Sequence, residues 1–195
     1  LCDWDLLWLE PSSPAAEAAR RLGLRVITGT LEETDFSARC FDAVTLWDVI
    51  EHLHDPAGAL RRIARILKPD GILVIRTPNF DSWEARLFGR YWAGLEPPRH
   101  LFVFTPRTLG AMLAQAGFAI RHQDCRSGGY MAFLRSVQFR LTFSCLSDRL
   151  RALLMGVLYH PLARAIAAPF FTLSSLGLKG GQMVLVASPT SSCHD

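Results

Sequence analysis

Apolar positions along the chain fall into short runs that alternate with helical stripes. Leu6 to Leu9 (LLWL) form a run of the length a buried strand needs. Ser13 followed by Pro14 then supplies a cap and a first-turn proline for a helix that Gly23 closes. A short strand is expected at Arg25 to Ile27, and the β-branched, apolar run Phe41 to Leu46 predicts a central strand. Asp55 and Pro56 cap the next helix, in which Leu60, Ile63, Ala64 and Leu67 recur at the spacing of one buried face. KPDG (68–71) is expected to stop it, with ILVIR (72–76) as the following strand. Thr105 and Pro106 start a helix through Ala116, Gly117 ends it, and a strand runs from Phe118 to about Gln123. Residues 131–176 are apolar and helical in character, interrupted by Pro161 and Pro169, and QMVLVAS (182–188) reads as a last strand. Strand and helix in alternation predict an α/β fold, a mostly parallel sheet with helices on both faces. At 195 residues the chain suits one domain.

Charge changes that picture by dividing the chain. Residues 1–55 hold 11 acids and 4 bases, whereas 56–195 hold 7 acids and 17 bases, so the second part can meet an anionic substrate or surface. No nucleic-acid partner is expected. The five cysteines, Cys2, Cys40, Cys125, Cys145 and Cys193, show neither a C-x-x-C pair nor regular spacing. Neither a disulfide framework nor a zinc site is indicated, which suits a reducing, cytoplasmic compartment. The first residues do not read as a signal peptide. The chain begins at Leu1 and enters strand-like sequence almost at once, which predicts an upstream segment.

In an open parallel sheet, ligands sit at the carboxyl ends of strands. Four such positions carry chemistry. Glu10 could accept the two hydroxyls of a ribose, and it could equally be a surface acid. In GTLEE (29–33), Gly29 permits a tight turn and Leu31 could lie against a flat base, with Glu32 or a backbone group at its polar edge. TLWDVIEHL (45–53) sets Asp48, Glu51 and His52 on one face of an expected helix, suited either to hydrogen bonds that lock the turn or to a hard metal ion. RTPN (76–79) ends the fourth strand.

Together, LEPS (9–12), GTLEE, FDAVTLWDVIEHLHDP (41–56), LKPDGILVIRTPN (67–79) and HLFVFTPRTLGAMLAQAGF (100–118) resemble the class I S-adenosylmethionine-dependent methyltransferases. The branch that includes the ubiquinone-biosynthesis O-methyltransferases is the most similar. The resemblance covers residues 6–123 and extends to 182–188. It implies a Rossmann-like sheet with an antiparallel last strand and S-adenosylmethionine as cofactor. By position it makes Glu10 the ribose acid, sets Thr30, Leu31 and Glu32 around adenine, and puts Leu46, Trp47 and Asp48 beside the cofactor. In that branch an acid-x-x-acid-His stretch is associated with a divalent cation such as Mg²⁺, which Asp48, Glu51 and His52 match. The family's first strand and glycine-rich loop should precede the ribose acid by roughly twenty residues. They are not within this chain, so it is expected to be an N-terminally truncated piece or a relative that has lost activity.

Methyl transfer from an activated sulfonium depends mainly on alignment, and a base is needed only for an acceptor such as a hydroxyl. His100, in the long loop after RTPN, is the candidate base or else a loop anchor. Asn79 and Arg99 are candidate contacts to the acceptor, and Trp83, Tyr91 and Trp92 could wall an aromatic or lipid-like pocket. The segment 131–176, with Arg135, Arg140, Asp148, Arg149, Arg151 and Arg164 on an apolar ground, reads as a lid, a dimer surface or a helix pair lying on a membrane. The expected function is methyl transfer, most simply to oxygen, on a small or lipid-like acceptor. The rivals are a non-catalytic remnant and nucleotide-sugar or NAD chemistry.

Overall fold

The computed structural model describes residues 4–126, 129–175 and 179–190. In chain order these form β1 (Trp8–Glu10), α1 (Ser13–Arg21), β2 (Val26–Thr28), β3 (Phe41–Trp47), α2 (Pro56–Ile66) and β4 (Leu67–Pro78). Then follow α3 (Trp83–Phe88), α4 (Pro106–Gln115), β5 (Phe118–Arg126), α5 (Gly129–Thr142), α6 (Asp148–Tyr159), α7 (Pro161–Ser175) and β6 (Gln182–Pro189). The expected elements form within a few residues of their predicted bounds, for local reasons. Ser12 stands at the N-cap position of α1, one residue earlier than expected and without a side-chain capping bond; Asp55 accepts from the Gly58 amide at the start of α2; and Thr105 and Thr108 close a reciprocal capping box at α4.

β1 and β2 pair in parallel, as do β3 and β4. β6 runs antiparallel between β4 and β5, giving the order β3-β4-β6-β5. Parallel strands with one antiparallel late strand are what the pattern and the resemblance implied. The two parallel pairs lie in separate sheets, so among the described residues β1 and β3 each keep an unpaired edge.

KPDG does not end an element. β4 begins at Leu67, opposite Phe41, and the register slips between Phe41 and Ala43 before regular pairing resumes at Ile72. Lys68 Nζ reaches Asp42 Oδ1 at 2.7 Å across the slip. A Cβ on Gly71 would stand 3.0 Å from the Lys68 carbonyl oxygen and 3.2 Å from that of Asp42, so the close approach favours glycine there.

One face of the four-stranded sheet carries the core. Leu73 and Ile75 of β4, Met183, Leu185 and Ala187 of β6, and Phe118 and Cys125 of β5 pack with Leu60 and Ile63 of α2 and Leu109 and Leu113 of α4. The loop after β2 joins through Leu31. Between these positions Val74, Val184 and Val186 are only half-buried. Helices α5 to α7 form a further layer. It is tied to the segment after α3 by the Ala93 amide, which donates to Ser136 Oγ at 2.9 Å.

Candidate active site

Glu10 stands at the carboxyl end of β1, half-buried. Its Oε1 accepts the Ser12 amide at 2.8 Å, and its carbonyl accepts the Gly29 amide at 3.1 Å, which joins the ends of β1 and β2. Oε2 takes no bond among the described residues. The turn after β2 is organised by Glu33, a residue the sequence reading passed over. Its Oε2 accepts both the Thr30 amide and the Thr30 hydroxyl at 3.0 Å, and these bonds, the amide first, hold Glu33 below the usual carboxylate range. Glu32 is exposed, and Leu31 is half-buried against the core.

At the end of β3 the expected helical face does not form. Asp48 adopts φ +52°, the left-handed region, and only Ile50–His52 make a single 3-10 turn. Asp48 therefore points elsewhere than Glu51 and His52. It pairs with the Arg76 guanidinium, and its amide donates to the Arg76 carbonyl at 2.9 Å. Arg76 also lies over the exposed Trp47 ring, 5.1 Å from its centroid, while Leu46 is half-buried. The cation Arg76 is the residue that RTPN contributes here; a basic residue at a strand end was the available signal.

Glu51 and His52 meet a partner from far along the chain. Glu51, His52 and His100 bring one ligand atom each within 4.8 Å of one another. Glu51 is 1% exposed; its Oε2 accepts the Thr77 hydroxyl at 2.9 Å, and Oε1 has no hydrogen-bond partner among the described residues. Burial pushes its carboxyl above the ordinary value against the opposing pull of its hydrogen bonds, including that from Thr77. His52 Nδ1 lies 2.8 Å from the Arg99 carbonyl, and His100 Nδ1 lies 2.8 Å from the Gly94 carbonyl. A carbonyl can only accept, so Nδ1 is the donor in both rings, and His100 Nε2 stands 3.8 Å from Glu96 Oε2. The rings meet edge to face at 4.7 Å. The Glu51 carbonyl accepts the Leu101 and Phe102 amides at 2.9 and 3.2 Å, which seats the long loop.

The remaining candidates separate. Asn79 is fully buried; it donates to the Gly180 carbonyl and accepts the Asp81 amide, both at 3.0 Å, which makes it a backbone staple rather than a surface for an acceptor. Trp83 lies in the helical layer against Phe133, Phe170 and Phe171. Tyr91 meets Phe143 and the Arg140 guanidinium, and Trp92 is buried beside Phe80. The three rings thus join three groups instead of one wall, because each follows its own turn of backbone between residues 83 and 95. Arg99 is exposed and pairs with Glu96 at 2.8 Å. Burial raises the Cys125 thiol pKa, which disfavours a thiolate; Cys40 and Cys145 are exposed, and Cys2 and Cys193 lie outside the described residues.

Comparison with known proteins bears on the family and the fold. Residues 2–123 match the model of a methyltransferase domain family. The ubiquinone biosynthesis O-methyltransferase of Azorhizobium caulinodans is 33% identical over 112 residues, covering 54% of this chain and 44% of that protein. An uncharacterised protein of Mycobacterium tuberculosis is 31% identical over 118 residues, covering 60% of this chain and 41% of its own. The chain thus spans about two fifths of the length of these relatives. Among solved structures, a Thermotoga maritima S-adenosylmethionine-dependent methyltransferase, described as a possible histamine N-methyltransferase, superposes with a TM-score of 0.59 at 20% identity, over 93% of this chain and 72% of that one. The [4+2]-cyclase SpnF superposes with a TM-score of 0.57 at 19% identity, over 94% and 65%. These likenesses show the fold.

Proposed function

The chain belongs to the methyltransferase domain family, and from that premise we propose that it serves methyl transfer from S-adenosylmethionine to the oxygen of a small or lipid-like acceptor. The observation that carries the reading is Glu10: a carboxylate at the carboxyl end of a parallel strand, one oxygen fixed by the Ser12 amide and the other open to a ribose hydroxyl. Leu31, backed by the core, offers an apolar surface beside the turn that Glu33 holds, which suits the flat face of adenine. Bound S-adenosylmethionine supplies an activated methyl group. The protein's own part is alignment and proton handling. His100 offers Nε2 as the base for an acceptor hydroxyl, with the Gly94 carbonyl fixing the tautomer. Helices α5 to α7 are proposed to act as a lid.

A divalent cation is a second use of the same nitrogen. Among the described residues Glu51 Oε1 lacks a hydrogen-bond partner, and two imidazoles direct Nε2 away from the backbone carbonyl that orients each, that of His100 standing 3.8 Å from Glu96 Oε2. One carboxylate and two imidazoles favour a borderline ion such as Zn²⁺ over Mg²⁺, which takes oxygen donors. His100 Nε2 can ligate or accept a proton, one at a time. Titration with Zn²⁺ and Mg²⁺ followed by calorimetry separates the roles: heat with Zn²⁺ that is lost in His52→Ala assigns the cation, and no heat with either leaves His100 as the base.

The methyl-donor reading is tested by calorimetry with S-adenosylhomocysteine, on this chain and on one extended upstream. Heat with that ligand and none with NAD is the expected result. Heat with NAD alone overturns the assignment, and no heat with either favours a non-catalytic module of the same fold.

A further inference from the structure

The helical layer has an outer surface that nothing among the described residues covers. On α7, Leu162, Ile166, Phe170 and Leu173 recur at helical spacing and are 61%, 73%, 54% and 66% exposed. On α6, Arg149, Leu153 and Val157 form a similar row, and α6 contains no buried residue. Runs of large apolar side chains left open in this way mark a docking surface.

Charge and length identify what docks. Residues 129–175 contain five arginines and a single acid, Asp148. That acid pairs with Arg151 at 3.1 Å, and Arg140 lies on the Tyr91 ring, which leaves Arg135, Arg149 and Arg164 without an acid partner among the described residues. A symmetric second copy would set these arginines against one another with almost no acid to answer them. An anionic surface answers them directly. The helices cannot cross a bilayer singly: α6 has 12 residues and α7 has 15. That makes them roughly 18 and 22 Å long against a hydrocarbon core of about 30 Å. Taken together they are apolar enough, but they meet at a bend of 65° after Tyr159. Bent and one-sided, such a pair suits the plane of the interface. Between α5, α6 and α7 lies a cleft of about 370 Å³, lined wholly by apolar and aromatic side chains including Phe133, Leu158 and Ala167. Ile166 and Phe170 line it too, so the cleft opens on the exposed stripe and could receive a hydrocarbon chain.

We infer that the α6–α7 pair docks the protein on the surface of an anionic phospholipid membrane, with the Leu162–Ile166–Phe170–Leu173 stripe in the acyl boundary and Arg149 and Arg164 at the headgroups. The inference goes beyond methyl transfer and does not depend on it. The test is flotation of the full chain with vesicles of phosphatidylcholine alone and of phosphatidylcholine mixed with phosphatidylglycerol. Binding is expected on the mixed vesicles and should weaken as salt rises. Leu162→Asp with Ile166→Asp should cut binding at least tenfold without moving the melting temperature. Arg149→Glu with Arg164→Glu should cut it by roughly fivefold or more per arginine on the anionic vesicles. Failure to bind either vesicle at low salt, or binding indifferent to both double variants, overturns the inference. So does a dimer, seen by sedimentation, that the Leu162→Asp, Ile166→Asp variant dissociates while vesicles are ignored; the stripe would then belong to a second copy. S-adenosylhomocysteine titrations on the same samples keep a failed donor assignment distinct from a failed docking surface.

Discussion

The sheet with α2 and α4 and the layer of α5 to α7 are built from similarly apolar sequence, yet they treat it in opposite ways. In the first, Leu60, Leu73, Leu109 and Leu185 are fully buried in one cluster. In the second, α6 buries nothing, and α7 packs Phe171 inward but leaves Leu162, Ile166, Phe170 and Leu173 more than half exposed. Burial needs a complementary face as well as an apolar stripe. The sheet provides that face to α2 and α4, whereas among the described residues α6 and α7 pack mainly on each other and on α5, with Trp83 of α3 and part of β5 against α7. Hydrophobic content alone therefore says little about which helices hold the molecule together.

The sharpest way to break this contrast is truncation in both regions. Leu73→Ala should cost about 2–5 kcal/mol in chemical denaturation, because its cavity lies in a packed core. Leu162→Ala should stay within about 0.5 kcal/mol. Equal losses would mean that the outer layer is as well packed as the core.

Ligand affinity provides the next contrast. Glu10→Gln should weaken S-adenosylhomocysteine by about 1.5–3 kcal/mol, one to two orders of magnitude, with little change in melting, since it removes a charged acceptor at the sheet rim. Ile166→Asp should leave that affinity unchanged. An effect of similar size from both would place the ligand in the wrong region.

Helix capping sharpens the comparison at a smaller scale. Thr105 and Thr108 cap α4 reciprocally, so Thr105→Ala should lower stability by about 1 kcal/mol. The Ser147 cap of α6 is a single long bond of 3.4 Å, and Ser147→Ala should cost less in the same thermal melts.

The smallest expected effect concerns Asp81, beside α3, which pairs with Lys179 after the helical layer and with Arg86. Lys179 first, then Arg86, holds its carboxyl below the usual range. A depressed folded-state pKa stabilises above the unfolded value of about 4, and that contribution is lost as pH falls through the folded value. The pair is exposed, so Asp81→Asn should cost under about 1 kcal/mol at neutral pH and nothing in strong acid or high salt. A larger loss, read from the pH dependence of unfolding, would make this bridge a true clamp between the two regions.

Period and punctuation made most of the architecture legible. The Leu60, Ile63 and Ala64 stripe, the Asp55 and Thr105 caps and the alternation of strand with helix led to the observed elements and the parallel pairs. Glu10 was legible because a strand end is a local feature. The trio of Asp48, Glu51 and His52 was misread because it assumed a helix, while Asp48 takes a left-handed turn to meet Arg76. Glu33 was missed because GTLEE offers two adjacent acids and only the folded turn selects one.

Local sequence determined the elements, their order and the chemistry at the strand ends, because capping, periodicity and turn formation act over a few residues. Tertiary structure decided which residues meet. Glu51 and His52 join His100 some fifty positions away only when the loop amides of Leu101 and Phe102 dock on the Glu51 carbonyl. It likewise decided that the outer stripe of α7 is left uncovered among the described residues, since burial depends on what lies opposite a helix and not on the helix alone.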